Sequence, residues 1–182
     1  MTRASGPQDA SDPGPPAGAA GLVRMLCPPP ARVLIAGSGE GLLASRLMTE
    51  GYRALGADDD ARAVAAARAR DPRTPVVRST GVDPLPVPST GAVVLAGERI
   101  TSAWSGRLAG LIAALATHVG GTGWLIVELD FDAGPDRDAL EFTAYDRLCA
   151  AAGLSYVARY RDWHGTPGAP PTGRTIVVHR RG

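Results

Sequence analysis

Three alternating glycines and one carboxylate are the residues whose types and spacing could support chemistry. Gly37, Gly39 and Gly41 follow directly after the apolar run at residues 33–36. Glycine has no Cβ and tolerates positive φ, so a ligand can approach the main chain here, beside the positive end of a helix dipole. Asp58 lies about twenty residues after the first glycine, where a nucleotide-binding βαβ unit places its ribose-binding carboxylate. The spacing therefore predicts a site for a ligand that contains a ribose.

The third glycine decides which nucleotide-binding motif the chain resembles. The dinucleotide fingerprint G-x-G-x-x-G would need glycine at the position of Leu42, and the sequence has G-x-G-x-G instead. The stretches VLIAGSGEG and GYRALGADDD resemble motif I and the following acidic strand end of the class I S-adenosylmethionine-dependent methyltransferases. The stretch HVGGTGWLIVEL resembles a segment of the same family, and the C-terminal part resembles that of its small actinobacterial members. The resemblance covers residues 32–180.

The resemblance implies methyl transfer from S-adenosylmethionine and a set of cofactor-binding positions. These positions are Gly37, Ser38, Gly39, Gly41, Asp58, Asp59, Val82, Ala96 and Gly97. The glycine turn would line the methionine and the ribose, and Asp58 would hold the ribose hydroxyls. Asp59 and Val82 would flank the adenine, while the backbone of Ala96 and Gly97 would meet the amino end of the cofactor.

The methyl acceptor must lie beyond the carboxyl ends of the fourth and fifth strands. Two titratable side chains could reach that place: Glu98, in the turn after strand four, and His164, in the connection between the last two strands. A histidine titrates near neutral pH and suits proton removal from a hydroxyl, whereas a carboxylate suits an amine. We therefore predict Glu98 and His164 as the catalytic candidates, with a small molecule as the acceptor.

Other polar residues favour structural roles. His118 falls in the last turn of a helix, where an imidazole meets the helix dipole favourably, and His179 falls in a strand. Asp130, Asp132 and Asp136 crowd one turn, but their spacing is not that of an EF-hand loop and helix N-termini attract acids. No metal site is predicted.

A parallel sheet must bring the candidate residues to one edge. Short apolar strands alternate with helices along the chain, and the last two strands, residues 154–163 and 174–180, form an antiparallel pair. The pattern predicts an α/β fold with a seven-stranded, mostly parallel Rossmann-like sheet, helices on both faces and a C-terminal antiparallel hairpin. The family resemblance implies the strand order 3-2-1-4-5-7-6.

The N-terminal segment has few large apolar residues that could form a core. Residues 1–20 are Pro, Gly, Ala, Ser and Asp without a hydrophobic period, which predicts a disordered tail, and residues 21–182 are predicted to form one domain. Residues 21–26 predict one helical turn before three prolines. With so little helix to cover it, the cofactor site would be open or covered by a partner chain or a second copy.

Charge and cysteine content exclude several classes of function. The formal net charge is +1, so no strong field favours nucleic acid or an anionic membrane as a partner. Two cysteines, Cys27 and Cys149, form neither a metal motif nor a disulfide framework. The sequence contains no apolar run long enough to span a bilayer, and we expect a cytoplasmic protein.

Two other functions are consistent with parts of the sequence. The family usually carries an acid two residues before the first glycine, where this chain has Ile35. That residue, with the missing adenine-binding acid near Gly81, favours a methyltransferase-like protein that has lost catalysis and serves as a binding or scaffold subunit. A nicotinamide-dependent oxidoreductase is the third alternative, and Leu42 and the antiparallel end argue against it.

Overall fold

The computed structural model describes residues 14–79, 85, 87–96, 108–130, 142–168 and 174–182. The helices and strands follow one another in the order α1 (Gly14–Leu26), β1 (Arg32–Ala36), α2 (Leu42–Thr49), β2 (Arg53–Asp58), α3 (Ala61–Arg70), β3 (Val76–Arg78), β4 (Thr90–Leu95), α4 (Leu108–His118), β5 (Val119–Asp130), α5 (Phe142–Ala151), β6 (Leu154–Tyr160) and β7 (Arg174–Arg181). In the described part of the chain, no helix is long and apolar enough to cross a membrane.

The strands form one seven-stranded sheet in the order β3-β2-β1-β4-β5-β7-β6, which confirms the predicted fold and strand order. The first five strands are parallel to one another, whereas β7 runs antiparallel to both β5 and β6. Parallel strands place all their carboxyl ends at one edge, and ligands of open α/β sheets bind at that edge.

The sheet carries helices on both faces, and its central strands are buried on both sides. In β1, Val33 and Ile35 pack on the side of α1 and α2, while Leu34 and Ala36 pack on the side of α4 and α5. We call these sides the first face and the second face. Each large apolar side chain buried in this way contributes about 1.5–3 kcal/mol, which is why a continuous apolar run forms a central strand.

Local sequence sets where several helices begin and end. Helix α2 buries Leu43 and Leu47 against the sheet, and Gly51 follows its C-terminus with φ 90°, as predicted for a left-handed cap. Asp60 caps α3 because its side chain accepts a hydrogen bond from the N–H of Arg62 at 2.8 Å.

The N-terminal helix is longer than the sequence pattern indicates. It begins at Gly14, inside the segment predicted to be disordered, and Ala19 and Ala20 are buried in the first-face core. A Cβ on Gly18 would lie 2.8 Å from Cβ of Trp163, so the helix approaches the main chain and Cβ of that residue as closely as only glycine allows. Helix α1 therefore extends into the predicted tail, because small residues without a hydrophobic period pack well where two elements come close.

Candidate functional site

The three glycines of the turn after β1 all have positive φ, but their surroundings differ. The φ angles are 67° at Gly37, 52° at Gly39 and 72° at Gly41. A Cβ on Gly41 would lie 2.9 Å from Cγ2 of Val76, and one on Gly37 would lie 3.2 Å from the carbonyl oxygen of Ala96. A Cβ on Gly39 would meet nothing within 4 Å. Only the middle glycine therefore faces open space, where a ligand could contact the main chain.

Asp58 holds this turn in place from the end of β2. Its Oδ2 accepts a hydrogen bond from the N–H of Gly39 at 2.7 Å, and its Oδ1 accepts one from the N–H of Asp60 at 2.9 Å. The residue is only 7% exposed. A carboxylate that accepts two main-chain hydrogen bonds fixes the backbone on both sides of it, and its remaining lone pairs can still accept hydroxyl groups.

Ser38 contributes main chain rather than its hydroxyl to the turn. Its N–H donates to the carbonyl of Ala57 at 3.1 Å. Its side chain packs over Gly56, where an added Cβ would lie 2.7 Å from Oγ. That Oγ is buried and has no hydrogen-bond partner. The hydroxyl therefore points into the protein, although the sequence resemblance placed Ser38 among the residues that line the cofactor.

Helix α2 begins at the turn without a side-chain cap. Its N-cap is Gly41, whose left-handed backbone supplies no capping oxygen. The first residue of the helix, Leu42, is 52% exposed. The first N–H groups of a helix lack intrahelical partners and favour negative charge, so this end of α2 suits a polar or anionic group.

The remaining predicted cofactor positions lie partly in the described structure. Ala96 follows β4 and its carbonyl lies beside Gly37; its contact with the amino end of the cofactor stays a prediction. Asp59 is exposed next to Asp58, and its carbonyl accepts a hydrogen bond from Nε of Arg78 at 3.4 Å. Val82, Gly97 and the catalytic candidate Glu98 lie outside the described residues.

Ile35 offers no polar group to the site, since it is 1% exposed within the first-face core. A carboxylate on another strand lies at the same edge. Ala36 pairs with Leu95 and Leu95 pairs with Val127, so the next residues, Gly37, Ala96 and Glu128, form a row across the sheet. Glu128 lies two residues after Ile126 and therefore shares its first-face orientation.

Glu128 is shielded and weakly paired. Its side chain is 11% exposed, and Oε1 lies 3.8 Å from Nε of Arg174, beyond hydrogen-bond distance. Among the residues that the structure describes, none donates a hydrogen bond to this carboxylate. Sequence reasoning missed Glu128, although a carboxylate inside the apolar run WLIVEL is a signal that could have identified it.

His164 is exposed in the connection between β6 and β7. Its N–H donates to Oδ1 of Asp162 at 2.9 Å. The preceding Trp163 is buried in the first-face core, and a Cβ on Gly165 would lie 3.1 Å from Cε of Met25 in α1. The turn that contains His164 therefore lies along α1.

The other two histidines are buried and have structural partners. Nε2 of His118 accepts a hydrogen bond from the N–H of Leu85 at 3.4 Å, and burial lowers the pKa of this imidazole. Nε2 of His179 lies 3.0 Å from Oδ1 of Asp146; burial lowers the pKa of His179, and the carboxylate opposes that effect. Burial at the end of α4 favours the neutral form of His118. The favourable interaction with the helix dipole that the sequence predicts would instead require the charged form.

No metal site is apparent in the described ranges. These contain no group of three or more His, Cys, Asp and Glu side chains that could hold an ion. Asp132 and Asp136, which the sequence brings near Asp130, lie outside those ranges.

Solved structures of known proteins share this fold over nearly the whole chain. A TehB-like S-adenosylmethionine-dependent methyltransferase from Corynebacterium glutamicum is 20% identical, with a TM-score of 0.79 over 91% of this chain and 88% of that one. The chain has the fold of the class I S-adenosylmethionine-dependent methyltransferases. No family model and no curated protein sequence matches it.

Two further methyltransferase structures are similar over comparable lengths. An S-adenosylmethionine-dependent methyltransferase from Clostridium acetobutylicum is 9% identical, with a TM-score of 0.79 over 94% of each chain. CalS10 from Micromonospora echinaspora, an amino pentose methyltransferase of calicheamicin biosynthesis solved with S-adenosylmethionine bound, is 19% identical. Its TM-score is 0.72 over 92% of this chain and 90% of that one. The methyltransferase fold is thus retained at very low sequence identity.

Proposed function

We propose that this chain is an S-adenosylmethionine-dependent methyltransferase that acts on a small-molecule acceptor. The observation that supports this most is the open main chain at Gly39, held by the buried carboxylate of Asp58 at the carboxyl edge of a methyltransferase fold. Neighbours in structure such as the amino pentose enzyme CalS10 act on small molecules, which supports the acceptor class.

The residues present fit the ribose end of the cofactor. Asp58 keeps unused lone pairs for the ribose hydroxyls after accepting its two main-chain hydrogen bonds. Gly39 leaves room for the sugar because no atom lies within 4 Å of its missing Cβ. Asp59, exposed beside it, and Val82 are the proposed neighbours of the adenine.

The methionine end would be bound by the row of residues that continues β1, β4 and β5. Gly37, Ala96 and the following Gly97 would supply main-chain carbonyls to the ammonium group. Glu128 would supply the negative charge that Ile35 does not, because its carboxylate lies on the same face and accepts no hydrogen bond from a described residue. The uncapped start of α2 would favour the carboxylate of the methionine.

S-adenosylmethionine supplies an electrophilic methyl group on a sulfonium, which an acceptor lone pair displaces in line. The protein therefore needs to orient the acceptor, exclude water and receive at most one proton. Glu98 remains the preferred candidate for that proton or for orienting an amine, and His164 is the second. In a Glu98→Gln or His164→Ala variant, turnover should fall far more than cofactor affinity.

A catalytically inactive binding protein is the second candidate. Two observations favour it: Ile35 is buried without a polar group, and the hydroxyl of Ser38 points away from the open side of the turn. Such a protein would bind the cofactor or its product without transferring a methyl group. A nicotinamide-dependent oxidoreductase has less support, because the antiparallel β5-β7-β6 end belongs to the methyltransferase fold.

Calorimetric titration with S-adenosylhomocysteine, S-adenosylmethionine and NAD tests the proposal. We expect both adenosyl ligands to bind in roughly the micromolar range and NAD not to bind. Transfer of labelled methyl to a panel of amino sugars and small phenols would then separate an enzyme from a binding protein. Absence of adenosyl-ligand binding at about millimolar concentration would contradict both forms of the proposal.

A further inference from the structure

The amino edge of the sheet contains a cavity that is separate from the glycine turn. It has a volume of about 420 Å³, within the range of roughly 300–1,000 Å³ that small-molecule sites occupy. Its lining includes Arg32, Arg53 and Thr90, the first residues of β1, β2 and β4. The glycine turn follows the other end of β1, so the cavity lies at the opposite edge of the sheet from the proposed cofactor site.

On the second face, the cavity lies away from the main contacts of the described helices. Met48 of α2 lines the cavity from the first face. Leu34 and Leu55 line it and belong to the second-face core. Among the described elements on that face, α4 makes its main contacts with β4 and β5, and α5 makes its main contacts with β6, so neither packs mainly on β2. Val87 and Pro88, in the irregular segment before β4, line the cavity instead. This arrangement leaves an apolar recess beside the start of β2.

Two arginines give the recess a positive rim. Arg32 and Arg53 are direct partners in the register of β1 and β2, so their side chains leave the same face of the sheet, and both are exposed. Like charges on directly opposed residues repel each other. Among the described residues, no carboxylate pairs with either guanidinium and neither side chain makes a hydrogen bond.

The other polar side chains of the lining are already engaged. The hydroxyl of Tyr52 donates to the carbonyl of Cys27 at 2.8 Å, and the hydroxyl of Thr90 donates to the carbonyl of His118 at 2.8 Å. The unpaired polar groups of the lining are therefore the two guanidiniums, which bind carboxylates in paired hydrogen bonds.

We propose that this cavity is a second ligand site, which takes a small carboxylate with an apolar body. The apolar part would occupy the recess over Leu34 and Leu55, and the carboxylate would lie between Arg32 and Arg53 and relieve their repulsion. The proposal does not depend on the methyltransferase assignment, since no residue of the glycine turn takes part.

Titration with 2-naphthoate, followed by calorimetry, tests the site, with neutral 2-naphthamide as the matched probe. We expect 2-naphthoate to bind the full chain at submillimolar concentration and 2-naphthamide to bind about tenfold more weakly. Arg32→Gln and Arg53→Gln should each weaken 2-naphthoate about tenfold and leave 2-naphthamide unchanged. Arg147→Gln, an exposed arginine on α5, is the control and should change neither affinity.

Three results would overturn the proposal. The first is no binding of 2-naphthoate by the wild-type chain at about 5 mM, well above the expected dissociation constant. The second is an equal loss of affinity in Arg147→Gln. The third is competition between 2-naphthoate and S-adenosylhomocysteine, which would place the probe in the proposed cofactor site. Failure of S-adenosylhomocysteine to bind at all would concern the proposed function only.

Discussion

Two shielded carboxylates lie at the carboxyl edge of the sheet, and their surroundings are opposite. Asp58, at the end of β2, accepts main-chain hydrogen bonds at 2.7 and 2.9 Å. Glu128, near the end of β5, has a guanidinium at 3.8 Å as its described partner. The first carboxylate is part of the architecture of the turn, whereas the second has only a guanidinium 3.8 Å away, which under the proposed function would leave it able to bind the cofactor's ammonium group.

Under the proposed function, this difference would separate a structural carboxylate from a ligand-binding carboxylate at one edge of the sheet. Around β2, only Gly39 of the three glycines in the turn faces open space. Around β5, the row that contains Gly37, Ala96 and Glu128 presents main chain and one charge. Changes on the β2 side should therefore alter stability and binding together, and changes at Glu128 should alter binding alone.

The largest effect is expected for Gly41→Ala. A left-handed backbone costs alanine about 1–2 kcal/mol, and the new Cβ, 2.9 Å from Cγ2 of Val76, adds about 1–3 kcal/mol of overpacking. The free energy of unfolding, measured in urea, should fall by the sum of these two costs. At Gly39 the φ is also positive, but an added Cβ would meet open space. Gly39→Ala should therefore lower the free energy of unfolding only by the cost of the left-handed backbone. Its Cβ should still block the binding of S-adenosylhomocysteine. Equal costs for the two variants would show that the contact with Val76 is unimportant.

Asp58→Ala should come next, with a loss of about 1–3 kcal/mol in the free energy of unfolding, because the N–H groups of Gly39 and Asp60 lose their acceptor. Affinity for S-adenosylhomocysteine should fall about ten- to a hundredfold. Urea unfolding and calorimetry on the same samples measure both. Unchanged stability would mean that the carboxylate serves the ligand only.

Removal of the first part of α1 should weaken the side of the sheet to which Glu128 belongs. A chain that begins at Gly21 loses the buried Ala19 and Ala20 and the packing of Gly18 on Trp163. We expect a loss of about 2 kcal/mol and a melting temperature lower by roughly 4–8 °C. A chain that begins at Gly14 is the control and should melt within about 2 °C of the full chain. If both shortened chains had the same melting temperature, the first part of α1 would not contribute to the stability of the core.

Glu128→Gln separates binding from stability. We expect S-adenosylhomocysteine to bind about tenfold more weakly, equivalent to about 1.4 kcal/mol, with little change in melting temperature. Methylthioadenosine lacks the methionine ammonium and should bind the variant as well as it binds the wild type. Glu50→Gln, at the other end of α2, should leave both ligands unaffected. A loss for both ligands in Glu128→Gln would show a structural effect.

The smallest expected effect is the pH dependence of stability that is caused by the two buried histidines, His118 and His179. Burial lowers the pKa of His118 and of His179, so the unfolded chain binds protons at higher pH than the folded chain does. Stability should be full above the unfolded value of about 6.5 and should decline as pH falls below it. Urea unfolding at a series of pH values between about 7.5 and 5 measures this pH dependence. His118→Gln should reduce the slope, and an unchanged slope would assign it to other groups.

The sequence predicted most of the fold because its signals are local. Apolar runs specify strands buried on both faces, Gly51 and Asp60 mark helix ends, and the antiparallel end follows from a short connection. These features depend on residues close together in the chain. The N-terminal helix was missed because its small residues show no period and become buried only in the folded first-face core, where Gly18 meets Trp163.

By itself, the sequence determined the glycine turn, the acid at the end of β2 and the edge of the sheet at which they meet. Their spacing is short enough for one βαβ unit to fix it. The tertiary structure alone decided that Asp58 also ties the turn, that Ser38 turns its hydroxyl inward over Gly56, and that Glu128 stands in one row with Gly37. Each of these depends on residues from different strands, whose register is set by packing over the whole sheet and is not written in any single stretch of chain.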